Sequence, residues 1–151
     1  VKTLQSLSIR GYDHQEIKES FPELEKLNIK NYKYRLNNDL FPKLKKLIIS
    51  GKVDNVFENI KMPFIYLSMA IVSKPIHINC DMLALIHTKV KTPININAKI
   101  VVTDNIYCFN TNNAEYLYCT ELIVEHIFPN LKKHVLCSIN ELYQIIYRNF
   151  K

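Results

Sequence analysis

Leu24-Glu25-Lys26-Leu27-Asn28-Ile29 returns twenty residues later as Leu44-Lys45-Lys46-Leu47-Ile48-Ile49, and Leu4-Gln5-Ser6-Leu7-Ser8-Ile9 stands twenty residues before it. Phe64-Ile65-Tyr66-Leu67-Ser68-Met69 reads as a looser fourth copy. Self-similarity at such a period marks a solenoid, whose repeats bury their apolar side only against one another. The signal extends beyond leucine. Phe21-Pro22 and Phe41-Pro42 precede the second and third copies at one offset, and Met62-Pro63 precedes the fourth. Proline fixes φ and turns the residue before it away from helix, so it opens an extended segment. Gly11, Asn31 and Gly51 stand seven positions after the first leucine of their phrases. Both residue types tolerate the positive φ that a sharp exit turn needs. The phrase predicts stacked strands in which Leu7, Leu27, Leu47 and Leu67 form one inward column.

Residues 1–70 are thus regular repeats, and 71–137 read as degenerate ones. Lys74-Pro75-Ile76-His77-Ile78-Asn79 comes back eighteen residues on as Thr92-Pro93-Ile94-Asn95-Ile96-Asn97. Met82-Leu83-Ala84-Leu85-Ile86 and Ile100-Val101-Val102 are apolar at every position, so periodicity does not say which side faces inward. Alternation reappears at Tyr116-Leu117-Tyr118-Cys119. Phe128 to Leu136 echoes Phe41 to Ile49 and puts His134 where Leu47 stood. Seven or eight strands result.

These residues resemble the leucine-rich repeat family, whose phrase is Leu-x-x-Leu-x-Leu; residues 4–9, 24–29 and 44–49 match it with Ile in the last place. The Lys-Pro-Ile and Thr-Pro-Ile segments are also similar to proline-containing short repeats of some amoebal and giant-virus proteins. The resemblance implies an α/β repeat solenoid: a curved parallel sheet with short helices or 3₁₀ turns on its convex side. The family places Asn or Cys nine positions into the phrase, but here those positions hold Tyr12, Tyr32 and Lys52. The family's buried asparagine ladder is therefore expected to be missing.

Short helices are expected in the first half, at the capping-box spacing Asp13–Glu16 with Ile17 and Phe21, and again around Phe57 and Ile60. The eighteen-residue repeats leave less room and are expected to return through extended Pro-Ile-x-Ile segments. Ser138-Ile139-Asn140-Glu141 is a capping box, and Leu142, Ile145, Ile146 and Phe150 share one helical face. A raw solenoid end needs covering, so 138–150 is expected to be a capping helix completing a single domain over 1–151. With no comparable cap before Leu4, the chain is expected to be part of a longer protein.

Composition predicts an intracellular, cytoplasmic protein. No apolar run approaches the ~20 residues that span a bilayer, and no leader opens the chain. The four cysteines lack scaffold density and zinc-type pairing, and no Asn-x-Ser/Thr sequon occurs. Heavy Ile, Lys and Asn usage suits an AT-rich microbial or viral genome.

The net charge is +6 and the isoelectric point about 9.1. The first 61 residues hold twelve Lys/Arg against eight Asp/Glu, a modest and interspersed excess. Strand alternation points Arg10, Lys26, Asn28, Lys30, Lys46 and Ile48 away from the core, with Tyr66, Ser68, Tyr116 and Tyr118 further along. That face, concave in the family, is the expected partner-binding surface. Tyrosine favours such roles because it combines large area with one polar tip. Catalysis is not expected. His134 with Cys119 or Cys137 is a formal nucleophile pair, but cysteine is a common small core residue. His77 and His87 with Cys80 or Asp81 have no metal-site spacing, and with Gly11 and Gly51 alone no glycine-rich phosphate loop exists. The reading is a non-enzymatic protein–protein recognition module without cofactor or metal. One form of it is a substrate-recruiting adaptor. The alternatives are a structural or assembly solenoid and, less favoured, a basic nucleic-acid-binding surface.

Overall fold

A computed structural model describes residues 4–10, 16–53, 61–105, 109–120 and 128–150. The strands are β1 (Ser6–Arg10), β2 (Lys26–Lys30), β3 (Lys46–Lys52), β4 (Lys61–Val72), β5 (His77–Ile86), β6 (Lys89–Val90), β7 (Ile94–Thr103), β8 (Phe109–Asn112), β9 (Tyr116–Cys119) and β10 (Lys133–Leu136). One helix, α1 (Ile139–Phe150), follows them. The main path is β1-β2-β3-β4-β5-β7-β9-β10, parallel throughout, with β6 paired to β4 and β8 to β7. The chain is a parallel β-solenoid with one C-terminal helix.

The first coils are built as their punctuation implies. Phe21 and Phe41 are buried and stacked, with ring centroids 5.8 Å apart and planes 6° from parallel. Each closes a turn in which the leucine three residues on donates its N–H to the Phe carbonyl: Leu24 to Phe21 and Leu44 to Phe41. Phe128 does the same with Leu131, so the echo at the far end is a real copy of the turn. Asn31 and Gly51 adopt φ of 54° and 73°; Gly11 lies outside the described residues. A Cβ on Gly51 would sit 1.9 Å from Asn31 Oδ1, so stacked corners leave no room for a side chain there. Of the residues at the family's asparagine position, Tyr12 lies outside the described residues and Lys52 is exposed in β3. Tyr32 is buried, and its hydroxyl accepts the Ile17 N–H at 2.9 Å.

The inward columns require one correction. Leu7, Leu27 and Leu47 are in register, but the next member is Ile65. Leu67 belongs to the neighbouring column, with Ile9, Ile29 and Ile49. Lys46 pairs with Phe64, eighteen positions on, so the shorter period begins one coil earlier than the phrase suggests. A slip of two preserves facing, because strand side chains alternate with period two. Leu67 stays fully buried, whereas Met69 falls at a corner with φ 50° and is 67% exposed.

From Lys61 onward the return path is itself sheet. Ile76, Ile78 and Cys80 point inward, as do Ile94, Ile96 and Ala98. The inward phase then changes at Asp81 and Lys99, and Leu83, Leu85, Val101 and Thr103 continue it. Each strand therefore bends through a corner and supplies two sides of its coil, with β6 adding a third beside β4. The expected extended Pro-Ile-x-Ile return is what these coils use. Among the described residues the connections hold a single 3₁₀ turn, Asn38–Leu40. The helices expected at Asp13 and near Phe57 and Ile60 fall mainly outside the described residues, and 16–20 is not helical.

The helix forms where expected, but it packs elsewhere. Glu141 N–H donates to Ser138 Oγ at 3.2 Å, and Ser138 N–H donates to Glu141 Oε1 at 3.1 Å, completing the capping box. Leu142 and Ile146 join Met82, Ala84, Ile86 and Val102 in a second core outside the solenoid. The inward column ends instead on Leu136, which is 57% exposed. So α1 covers the sheet's outward face rather than closing the terminal coil. The reason is in the unbroken apolar runs: a strand apolar on both sides needs cover on both sides.

Candidate interaction surfaces

The outward sheet face carries three residues per coil, and its chemistry changes along the stack. Register sets Ser6, Lys26, Lys46, Phe64, Met82 and Ile100 in one row, continued by Tyr116 and Lys133. Ser8, Asn28, Ile48, Tyr66, Ala84 and Val102 form the next, continued by Tyr118 and Val135. Arg10, Lys30 and Ser50 begin a third. Lys26 and Lys46 are therefore cross-strand neighbours, as are the backbones of Arg10 and Lys30. Like charges so placed repel.

Past β3 the same face is apolar and helix-covered. Tyr66 and Tyr118 are half-buried and packed against the α1 core. Burial pushes the Tyr66 hydroxyl pKa up, against a hydrogen bond with Ser68, while nearby Tyr143, Tyr147 and Asp104 push it up further. Tyr116 is half-buried, with Lys99 Nζ 5.9 Å from its ring centroid. The expected site thus divides. Lys26, Asn28, Lys30 and Lys46 stay together in the part outside the helix-covered stretch, whereas Ile48 packs against the α1 core with the tyrosines of its row.

The candidate chemical groups sort differently. Cys119 Sγ and His134 Nε2 do meet, at 3.1 Å. Cys119 is fully buried in the inward column. Burial pushes the Cys80 thiol up to about 12, reinforced by Asp81, which keeps it a thiol rather than the reactive thiolate. His77 lies within hydrogen-bonding distance of Asn95 (3.3 Å), and His87 turns a corner, its N–H donating to Asp104 Oδ2 at 3.0 Å. No group of three or more His, Cys, Asp or Glu able to hold a metal occurs among the described residues. No helix there is long and apolar enough to cross a membrane.

A second surface was not anticipated. On the side formed by the start of β5 and β7, Asn97 Nδ2 donates to Asn79 Oδ1 at 2.9 Å and Asn113 Nδ2 donates to Asn97 Oδ1. Asn113 Oδ1 accepts the Ala98 N–H at 3.1 Å. This outward asparagine ladder lines a groove of about 900 Å³ with Lys61, Asn130, Met62 and Cys80. Along its corner Glu115 pairs with Lys132 at 2.7 Å and approaches Lys99 at 3.9 Å. Lys132, ahead of a smaller opposing burial effect and with help from Lys99, pulls the Glu115 pKa down. The sequence signal was Asn79 and Asn97 at one position of the eighteen-residue repeat. Comparison with known protein families, curated proteins and solved structures finds no match to this chain.

Proposed function

We propose that this protein is a non-enzymatic recognition module of leucine-rich-repeat kind, which binds an acidic protein segment on the outward face of β1–β3. The observation that carries this reading is the change of chemistry along one continuous face. Where α1 lies, the face is apolar and covered, with Ile48 at its edge; before β4 it is basic, with Lys26 and Lys46 in one row and Lys30 beside them. Lysines so grouped suit a partner that brings carboxylates. A substrate-recruiting adaptor in the cytoplasm is one setting for such a module, and an assembly role is the alternative.

The test uses a fluorescent glutamate-rich peptide and a single-stranded oligonucleotide, each titrated with the wild type and with the Lys26→Glu, Lys30→Glu double variant across a salt series. The reading expects saturable peptide binding that charge reversal abolishes, with an unchanged melting temperature. Equal peptide affinity in both proteins would remove the β1–β3 face from consideration. Tight oligonucleotide binding with a steep salt slope would favour phosphate recognition instead.

A further inference from the structure

We infer that the asparagine groove is a second binding site, independent of the β1–β3 face, and that its ligand is a proline-rich peptide in the polyproline II conformation. The polarity of the ladder comes first. The carboxamide oxygens of Asn79, Asn97 and Asn113 each accept a bond from within the protein. A carboxamide carries two N–H donors, so Asn97 and Asn113 each retain one after the ladder is made. The row therefore offers rigid donors, one amide per coil, to whatever lies along it. Its orientation is fixed before binding, which lowers the entropic cost of capture.

Charge comes second. The groove's acids are Asp81 and Glu115, and Glu115 is already engaged by Lys132 and Lys99. With Lys61, the lining has three ammonium groups against two carboxylates. Such a near-neutral surface selects for oxygen acceptors rather than for strong anions. Pro63 adds apolar contact.

Spacing comes third. Neighbouring parallel strands lie about 4.7–4.9 Å apart, so amides two coils apart recur every ~9.4–9.8 Å. A polyproline II helix turns once in three residues, about 9.3 Å, and makes no internal hydrogen bonds. Its carbonyls would meet Asn79 and Asn113 on successive turns. From Lys61 to Asn130 is four such steps, about 19 Å, or roughly two turns of that helix. An ordinary β-strand fits less well: its two-residue repeat near 6.7 Å falls out of step, and its N–H groups would confront the donors. Proline residues have none.

The experiment titrates an oligoproline peptide of about eight residues into ¹⁵N-labelled protein. The expected result is saturable shifts of the Asn79, Asn97 and Asn113 side-chain amides, little changed by salt. Asn79→Asp keeps the side chain's size and its acceptor for Asn97 while removing the donors; it should weaken binding about five- to tenfold, the loss of one good hydrogen bond. Lys26→Glu with Lys30→Glu should bind oligoproline like the wild type, so this site and the β1–β3 face can fail separately. No shift at the three amides, or equal affinity in Asn79→Asp, would overturn the assignment. So would a neutral oligosaccharide or a glutamate-rich peptide that shifts those amides when oligoproline does not.

Discussion

The coils up to β3 and the coils from Lys61 onward share one inward column but return to it by different routes. The early coils take twenty residues and come back through Phe-Pro turns and a 3₁₀ turn, with buried Phe21 stacked on Phe41. The coils from β3 to β7 take eighteen, and those of β5 and β7 come back as strand, with Ile78 and Ile96 filling the interior; the last two take sixteen and seventeen. Two fewer residues remove the slack that an irregular return needs, and the shortest path is an extended one. The outward faces differ as well: polar and basic on β1–β3, apolar beneath α1 from β4 on. Two surfaces follow from that difference, a basic face where coils are long and an amide groove where they are short.

The comparison breaks most visibly if the two halves are not one core. Leu27→Ala and Leu83→Ala each remove a fully buried side chain from the same column, and each should cost about 2–5 kcal/mol. Urea unfolding followed by circular dichroism and by fluorescence should show one transition for both variants; two separated transitions would make the halves independent.

Corners separate the halves next. Gly51→Ala forces a side chain onto Asn31 at positive φ, and should cost roughly 1–3 kcal/mol. Met69 also holds positive φ but is exposed, so Met69→Gly should be neutral or raise stability by up to about 1 kcal/mol. Equal signs in thermal melts would mean the corners are not equivalent.

Alkaline titration sharpens the contrast further. Tyr32 in the early coils and Tyr66 in the later ones both have pKa values raised chiefly by burial, Tyr32 against its bond from Ile17 and Tyr66 against its bond with Ser68. The folded state therefore holds these protons longer. The contribution is fully present below the unfolded value near 10 and disappears as pH rises through the folded value. Ile146→Asp, which should detach α1, is expected to lower the Tyr66 value and leave Tyr32 unmoved, as ultraviolet difference titration would register.

The smallest effect belongs to the exposed groove corner. Glu115→Gln should lower the melting temperature only slightly near neutrality. In the wild type the depressed Glu115 value confers stability above its unfolded pKa that is lost as pH falls through the folded one. Lys132→Ala should return the carboxylate towards its ordinary range, measurable by its side-chain carbon shift.

Much of this could be read from residue order. The twenty-residue phrase, the Phe-Pro turns, the positive-φ corners, the Pro-Ile-x-Ile returns and the capping box each rest on contacts within a few residues or on strict repetition. Their physics is local, so their signal is local. The register of β4 was misread because Leu67 and Ile65 are equally apolar, and a two-residue slip exchanges one for the other without altering facing. The asparagine groove was half visible: Asn79 and Asn97 repeat, whereas Asn113 arrives after sixteen residues instead of eighteen.

Residue order alone therefore determined that the chain coils, which residues alternate inward in the early coils, and where its helix begins. Tertiary packing decided where that helix lies, and with it which part of the outward face stays open. It also decided that amides from three coils would align into one row. Both outcomes depend on surfaces assembled from residues far apart in the chain. A run such as Met82 to Ile86 records that two sides must be buried; the element covering the second side emerges only when the coils have stacked.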